Sequence, residues 1–164
     1  MNTLQPLLGQ LQQYKRKYYL NRLLGGTLFA LGLLLSAYLL VSVLEYYGNF
    51  STAVRTILFY GFWSLLTYLL VSRIAIPIFY LLNIAKPITD ETAAQQIGNY
   101  FPEVRDKLLN TLQLGKQNAP EHSLIAAAIA QKTGELSYIP FANAIDLSTN
   151  AKYLRWVAPP LLII

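Results

Sequence analysis

The chain of 164 residues contains no cysteine and a single histidine, His122. The lack of cysteine excludes disulfide bonds, thiolate catalysis and cysteine ligands to a metal ion. A metal site on His122 would have no second histidine to join it, and the adjacent Glu121 would point to a different part of a helix. We therefore predict no metal site in this chain.

The chain is also poor in charge, since only 13% of its residues are charged and 54% are hydrophobic. In soluble domains about a quarter of all residues are charged, so this composition indicates a membrane protein. Residues 83–155 contain seven basic and seven acidic residues, so the net charge of +5 lies before them, and the basic group Lys15, Arg16, Lys17 and Arg22 supplies four of these charges. A basic cluster beside an apolar run is typical of a topology determinant and not of a nucleic-acid-binding surface.

Motifs for catalysis are missing as well. There is no glycine-rich phosphate loop, no nucleophile elbow and no zinc-protease helix. The carboxylates of Asp90, Glu91, Glu103 and Asp106 are numerous enough for acid–base chemistry, but each lies in the first turn of a predicted helix, where the helix dipole favours it. We predict no catalytic residue, no cofactor and no small-molecule substrate, and therefore a protein that is not an enzyme.

The strongest positive signal is residues 23–44, a run of 22 uncharged residues between Arg22 and Glu45. At about 1.5 Å per residue a helix of this length crosses a hydrocarbon core of about 30 Å. A cleaved signal peptide would have an apolar region of about 7–15 residues and small residues at the cleavage site. Glu45-Tyr46-Tyr47 does not fit such a site, so we predict a transmembrane helix.

The preceding residues, 3–21, place leucines and tyrosines at helical spacing. This pattern has two interpretations. The segment is either a separate helix on the cytoplasmic membrane surface or an extension of the first span as one long helix.

A turn at residues 48–51 leads to a second predicted span, residues 56–72, which contains 17 uncharged residues. The apolar character continues beyond Arg73, with Pro77 expected to kink or reset the helix. We expect Arg73 to extend to the headgroups. The alternative, Arg73 within a tilted span, would make it a functional residue. Gly25-Gly26 and the pair Gly32 and Ser36 permit close approach of another helix.

Basic residues in the flanks predict the orientation. Four precede the first span, Arg55 alone lies between the spans, and Arg73 and Lys86 follow the second. Because cytoplasmic flanks are enriched in lysine and arginine, we expect the N-terminus and residues 83–152 to be cytoplasmic.

The segment after the spans predicts a set of amphipathic helices. Thr89 is the expected N-cap of a helix from Asp90 to Tyr100, and further helices are expected to begin at Pro102 and Pro120. Their apolar stripes are the predicted interaction surfaces: Ala93, Ala94, Ile97 and Tyr100; Val104, Leu108, Leu109 and Leu112; Leu124, Ile125, Ala128 and Ile129.

The end of the sequence predicts an extended stretch at residues 138–141 and then a helix, capped by Asp146 or Ser148, that runs into Trp156. Residues 156–164 are apolar and resemble the first half of a membrane span. Because nine residues cannot cross a bilayer, we expect either a short interfacial tail or, preferably, a protein that continues beyond Ile164.

Two stretches carry a family resemblance. They are the run Phe101-Pro102-Glu103-Val104 followed by Asp106-Lys107-Leu108-Leu109-Asn110, within residues 93–114, and residues 131–136 with 139–141 and 144–148. Together they resemble the N-terminal region of large, mainly Bacteroidetes, multi-pass membrane proteins of domain-of-unknown-function family 4175. The resemblance covers nearly the whole chain. It implies a cell-envelope location, here the bacterial inner membrane, and no known activity or catalytic residues.

We therefore predict an all-α membrane protein with two transmembrane helices, a cytoplasmic helical subdomain and the start of a third span. The expected domains are residues 1–22, 23–84, 85–152 and 153–164. The expected function is a membrane anchor and interaction or scaffold module, with the lipid bilayer and other membrane helices or protein subunits as partners. The alternative is an accessory subunit of a transporter or another membrane complex. A third class, an intramembrane enzyme or ion pathway, would need Arg73 or Glu45 at depth with a partner of opposite charge.

Overall fold

The computed structural model describes residues 4–116 and 123–163, and every regular element in these ranges is helical. The α-helices are α1 (Gln5–Gly48), α2 (Thr52–Leu69), α3 (Ile76–Leu81), α4 (Asp90–Tyr100), α5 (Arg105–Lys116), α6 (Ser123–Ser137) and α7 (Leu154–Ile163). A π-helical segment, Leu70–Ala75, joins α2 to α3, and short 3₁₀ segments cover Pro102–Val104, Phe141–Ala144 and Leu147–Tyr153. The all-α prediction is confirmed.

The chain divides into two compact units. The first, here called the helical unit, consists of Met1–Tyr18 and Lys86–Asp146. The second, here called the apolar unit, consists of Tyr19–Ala85 and Leu147–Ile164. Helix α1 contributes its first turns to the helical unit and the rest of its length to the apolar unit.

Local sequence signals account for the starts of α4 and α5 in the helical unit. The side chain of Thr89 accepts a hydrogen bond from the backbone N–H of Thr92 at 3.2 Å, which confirms Thr89 as the N-cap of α4. Pro102 begins a 3₁₀ turn that passes into α5, because proline lacks the N–H that the first turn of a helix leaves unpaired. The predicted start at Pro120 lies outside the described residues, as do Glu121 and His122.

One buried cluster holds the helical unit together. It combines leucines from α1 with the apolar stripes of α4 and α5 and with residues that follow α6. Its fully buried members are Leu7, Leu11, Ala93, Ala94, Ile97 and Leu108. Burying a leucine or isoleucine side chain contributes about 1.5–3 kcal/mol, so this cluster is the main source of the unit's stability.

The apolar unit is built around α1 and the helix that follows the turn. Asn49 ends α1 with a φ of 42°, the left-handed conformation that asparagine tolerates at a helix C-terminus. Ser51 then precedes α2, so the predicted turn at residues 48–51 is confirmed. Helix α2 begins at Thr52, four residues before the start that the sequence predicted for the span.

Pro77 explains the π-helical segment between α2 and α3. Proline cannot donate a backbone hydrogen bond, and its ring displaces the carbonyl four residues earlier, here that of Arg73. The helix widens before Pro77, so that the N–H of Ile76 donates to the carbonyl of Val71, five residues back. The expected local disturbance is therefore a π segment within a continuing helix.

The structure decides one alternative that the sequence left open, and it differs from the sequence prediction at two places near the end of the chain. Of the two interpretations of residues 3–21, the described part supports the continuous helix, because α1 runs unbroken from Gln5 to Gly48. Phe141 was expected to be extended, but it begins a 3₁₀ segment and is buried. A helical stretch does begin directly after Asp146, but it is a 3₁₀ segment from Leu147 to Tyr153, and the α-helix α7 starts only at Leu154.

Candidate functional site

The apolar stripes of α4 and α5 do not form the interaction surface that the sequence suggested. Ala93, Ala94, Ile97 and Leu108 are fully buried inside the helical unit. Tyr100, which was assigned to the same face as Ile97, is instead 59% exposed. The stripes are therefore internal packing surfaces, because the first turns of α1 and the segment after α6 cover them.

The predicted stripe of α6 is only partly described. Ile129 is buried as expected, whereas Ala128 is exposed. The side chains of Leu124 and Ile125 lie outside the described residues. Helix α6 ends at Ser137.

Exposed apolar side chains are concentrated in the apolar unit. The helix Gln5–Gly48 and the continuous helix Thr52–Leu81 each contain an 18-residue window of high mean hydropathy, 2.3 and 1.7, and only 11% of each window is buried. A core helix of a soluble protein with such a sequence would be buried almost completely. By length and composition both helices can cross a membrane.

Glycines let other segments approach α1 closely. A Cβ atom added to Gly26 would lie 2.7 Å from the backbone oxygen of Arg73, and one added to Gly32 would lie 3.3 Å from the backbone of Trp156. At Gly26 a Cβ would collide with the backbone, and at Gly32 it would make a contact tighter than is usual. The predicted role of the glycines in close packing is thus seen at Gly26 and Gly32.

A polar contact joins α1 to the 3₁₀ segment before α7. The Nδ2 of Asn150 donates to Oδ1 of Asn21 at 2.6 Å and to the backbone oxygen of Asn21 at 3.3 Å. Asn150 is 9% exposed, and Gly25 leaves room for it, since a Cβ there would lie 2.5 Å from Asn150 Oδ1. Sequence reasoning missed this pair because two asparagines so far apart carry no pattern.

Arg73 packs on aromatic surface. Its guanidinium carbon lies 5.2 Å from the centroid of the Phe29 ring, a cation–π distance. In the same unit the ring of Tyr19 stacks on that of Tyr80 with centroids 4.8 Å apart. The side chain of Arg73 is exposed, and nothing in this arrangement supplies the acidic partner that an ion pathway through Arg73 was expected to need.

Glu45 does have a partner of opposite charge. Nε of Arg55 lies 3.1 Å from Oε1 of Glu45, which links α1 to α2 across the turn at residues 48–51. Both side chains are about half exposed. They help to line a groove of about 420 Å³ whose other lining residues are apolar and aromatic. The sequence offers one indication of this ion pair, because Glu45 and Arg55 carry opposite charges and lie on either side of the short turn.

The carboxylates considered for catalysis are not gathered into one site. Asp90 forms an ion pair with Lys15 at 2.8 Å, whereas Glu103 and Asp106 are exposed in the first turns where the sequence placed them. Within residues 4–116 and 123–163, no group of three histidine, aspartate or glutamate side chains is arranged to hold a metal ion.

Hydrogen bonds supplement the packing of α1 in the helical unit. The hydroxyl of Tyr14 donates to Oε1 of Gln96 at 3.1 Å, and Nε2 of Gln10 donates to the backbone oxygen of Ser137. Burial, together with the nearby Tyr18, raises the pKa of Tyr14 to about 12. These contacts tie the first turns of α1 to α4 and to the end of α6.

Comparison of the chain with family models, with curated proteins and with solved structures found no match in any of the three. The resemblance to domain-of-unknown-function family 4175 therefore stays a prediction from residues 93–114 and 131–148.

Proposed function

We propose that the chain is a non-catalytic anchor and interaction module of a larger protein in the bacterial inner membrane. In this proposal α1 and the helix formed by α2, the π segment and α3 cross the bilayer as a hairpin. The helical unit then lies in the cytoplasm and holds other parts of the same protein or a partner subunit.

The exposed apolar surface of the two long helices carries this proposal. Apolar surface in water costs about 25 cal/mol for each Å². Windows of 18 residues with only 11% burial would therefore be strongly unfavourable in water. The same surface is favourable in lipid, where a helix also satisfies its own backbone hydrogen bonds.

Charge placement supports the proposed orientation. Arg16, Lys17 and Arg22 lie on α1 just before its uncharged stretch, whereas Arg55 at the opposite end of the hairpin is paired with Glu45. Short flanks on the cytoplasmic side of membrane spans are enriched in lysine and arginine. The polar surface and separate core of the helical unit suit an aqueous compartment.

Membrane insertion and orientation can be tested on the full chain, because it has no native cysteine. The variants Asn49→Cys and Gln117→Cys would each be treated in intact cells with a membrane-impermeant maleimide. After carbonate extraction the protein should remain in the membrane fraction. The Asn49→Cys variant should be labelled in intact cells, and the Gln117→Cys variant should be labelled only after the cells are opened.

Two results would contradict the proposal. Release of the chain by carbonate would exclude the membrane hairpin, and external labelling at position 117 would reverse the orientation.

The native mass distinguishes the proposed module from the accessory subunit. An antibody against residues 85–152 should detect a band far above 18.5 kDa, whereas a band at that mass with copurifying proteins would favour the subunit.

A further inference from the structure

The groove beside the Glu45–Arg55 pair is lined by apolar and aromatic side chains, here called its apolar floor, together with these two opposite charges. Val41, Leu58, Phe62 and Trp63 are among the residues that line it. Its volume of about 420 Å³ lies within the range of about 300–1,000 Å³ that is usual for small-molecule sites. The groove lies at the end of the hairpin next to the turn at residues 48–51, which in the proposed function faces one surface of the bilayer.

The two charges retain binding capacity. The ion pair joins Nε of Arg55 to Oε1 of Glu45 at 3.1 Å, and a guanidinium and a carboxylate each have further atoms that can donate or accept hydrogen bonds. Each side chain is about half exposed, with 56% for Arg55 and 46% for Glu45. Guanidinium groups bind phosphate with strong, directional hydrogen bonds, and carboxylates accept hydrogen bonds from ammonium groups.

We propose that this groove binds a zwitterionic phospholipid whose headgroup carries both a phosphate and a primary ammonium. One acyl chain lies along the apolar floor, the phosphate contacts Arg55 and the ammonium contacts Glu45. Charge complementarity selects this occupant, because the headgroup presents one negative and one positive group a short distance apart, as the side-chain pair does. An anionic lipid without an ammonium would leave Glu45 facing negative charge.

The inference rests on the proposed membrane function, and its test is separate from that of the function. The full chain would be purified from bilayers that contain equal amounts of phosphatidylethanolamine and phosphatidylglycerol. Native mass spectrometry would then measure the ratio of the two lipids retained. We expect the wild type to retain mainly phosphatidylethanolamine.

Substitutions test which side chains contact the headgroup and the acyl chain of the lipid. Glu45→Gln should remove the preference for phosphatidylethanolamine, and Arg55→Gln should lower retention of both lipids about tenfold, as expected for loss of one charge-assisted hydrogen bond. Val41→Trp, which keeps both charges and fills the apolar floor, should also lower retention. Lys86→Gln removes an exposed charge elsewhere and should change nothing.

Three results would overturn the inference while the membrane anchor stands. Equal retention of both lipids by the wild type would exclude headgroup recognition. Competition by glycerophosphoethanolamine at the same concentration as the whole lipid would show that the acyl chain contributes nothing. A dimeric mass that Val41→Trp abolishes would show that a second copy of the chain occupies the groove. Loss of the chain from carbonate-washed membranes would instead refute the anchor itself.

Discussion

Nζ of Lys15 lies 2.8 Å from Oδ1 of Asp90, although the two residues are 75 positions apart in the sequence. Lys15 belongs to the basic cluster before the first apolar run, and Asp90 is the first residue of α4. Their side chains are 14% and 34% exposed. One member of the predicted topology cluster therefore also joins α1 to α4 within the helical unit.

Asp90→Asn should destabilise the helical unit by about 1–2 kcal/mol, because it removes a partly buried charged hydrogen bond and a favourable charge in the first turn of α4. Hydrogen exchange of the α4 amides in the full chain would report the change. Glu103→Gln removes an exposed carboxylate from another helix start and should alter exchange little. Equal effects of the two variants would show that the ion pair adds no stability.

Leu11→Ala should cost about 2–5 kcal/mol, since Leu11 is fully buried among residues of α4 and α5. Chemical denaturation of the purified full chain would measure the loss. Gln12→Ala, on the neighbouring exposed position, is the matched control and should stay within about 0.5 kcal/mol. If Leu11→Ala were equally mild, the first turns of α1 would not belong to the core of the helical unit.

Tyr14→Phe should change how stability depends on pH. The pKa of Tyr14 is raised from 10.0 to about 12 because folding buries its neutral hydroxyl. The unfolded chain therefore loses this proton at lower pH than the folded chain, and stability falls as pH rises from about 10 to about 12.

The difference in unfolding free energy between wild type and Tyr14→Phe should consequently shrink over that interval. Below pH 10 the difference should be constant and reflect the lost hydrogen bond to Gln96. Parallel denaturation curves at pH 8, 10 and 11.5 would measure it. A constant difference across all three would contradict a raised pKa at Tyr14.

Gly26→Val should lower the melting temperature of the detergent-solubilised chain, because its Cβ would meet the backbone oxygen of Arg73 at 2.7 Å. Gly61→Val is a matched control, since no atom lies within 4 Å of a Cβ added there. Circular dichroism would measure the melting temperature of both variants. A similar melting temperature for the two variants would mean that α1 does not pack against the π segment as described.

Much of the local structure was predictable from sequence. The N-cap at Thr89, the turn at residues 48–51 and the disturbance before Pro77 were expected from capping, turn and proline chemistry. These features depend on residues close together in the chain. Helix boundaries near Leu147 and Phe141 were less accurate, because short 3₁₀ segments have no strong sequence pattern.

The partners of each apolar face were not predictable. The stripe of Ala93 and Ile97 looks the same in sequence whether it binds another protein or packs within its own unit. The contacts Asn21 with Asn150 and Lys15 with Asp90 likewise join segments that no periodicity relates.

Three features could be read from the sequence alone: the helical class, the two runs long and apolar enough to cross a membrane, and the lack of cysteine-based sites. Each follows from composition or from local periodicity, which act over a few residues. Tertiary contacts were needed to show that the first turns of α1 lie in the core of the helical unit and that Glu45 pairs with Arg55. The physical reason is that burial and ion pairing depend on which distant segments meet, and that depends on the packing of the whole unit.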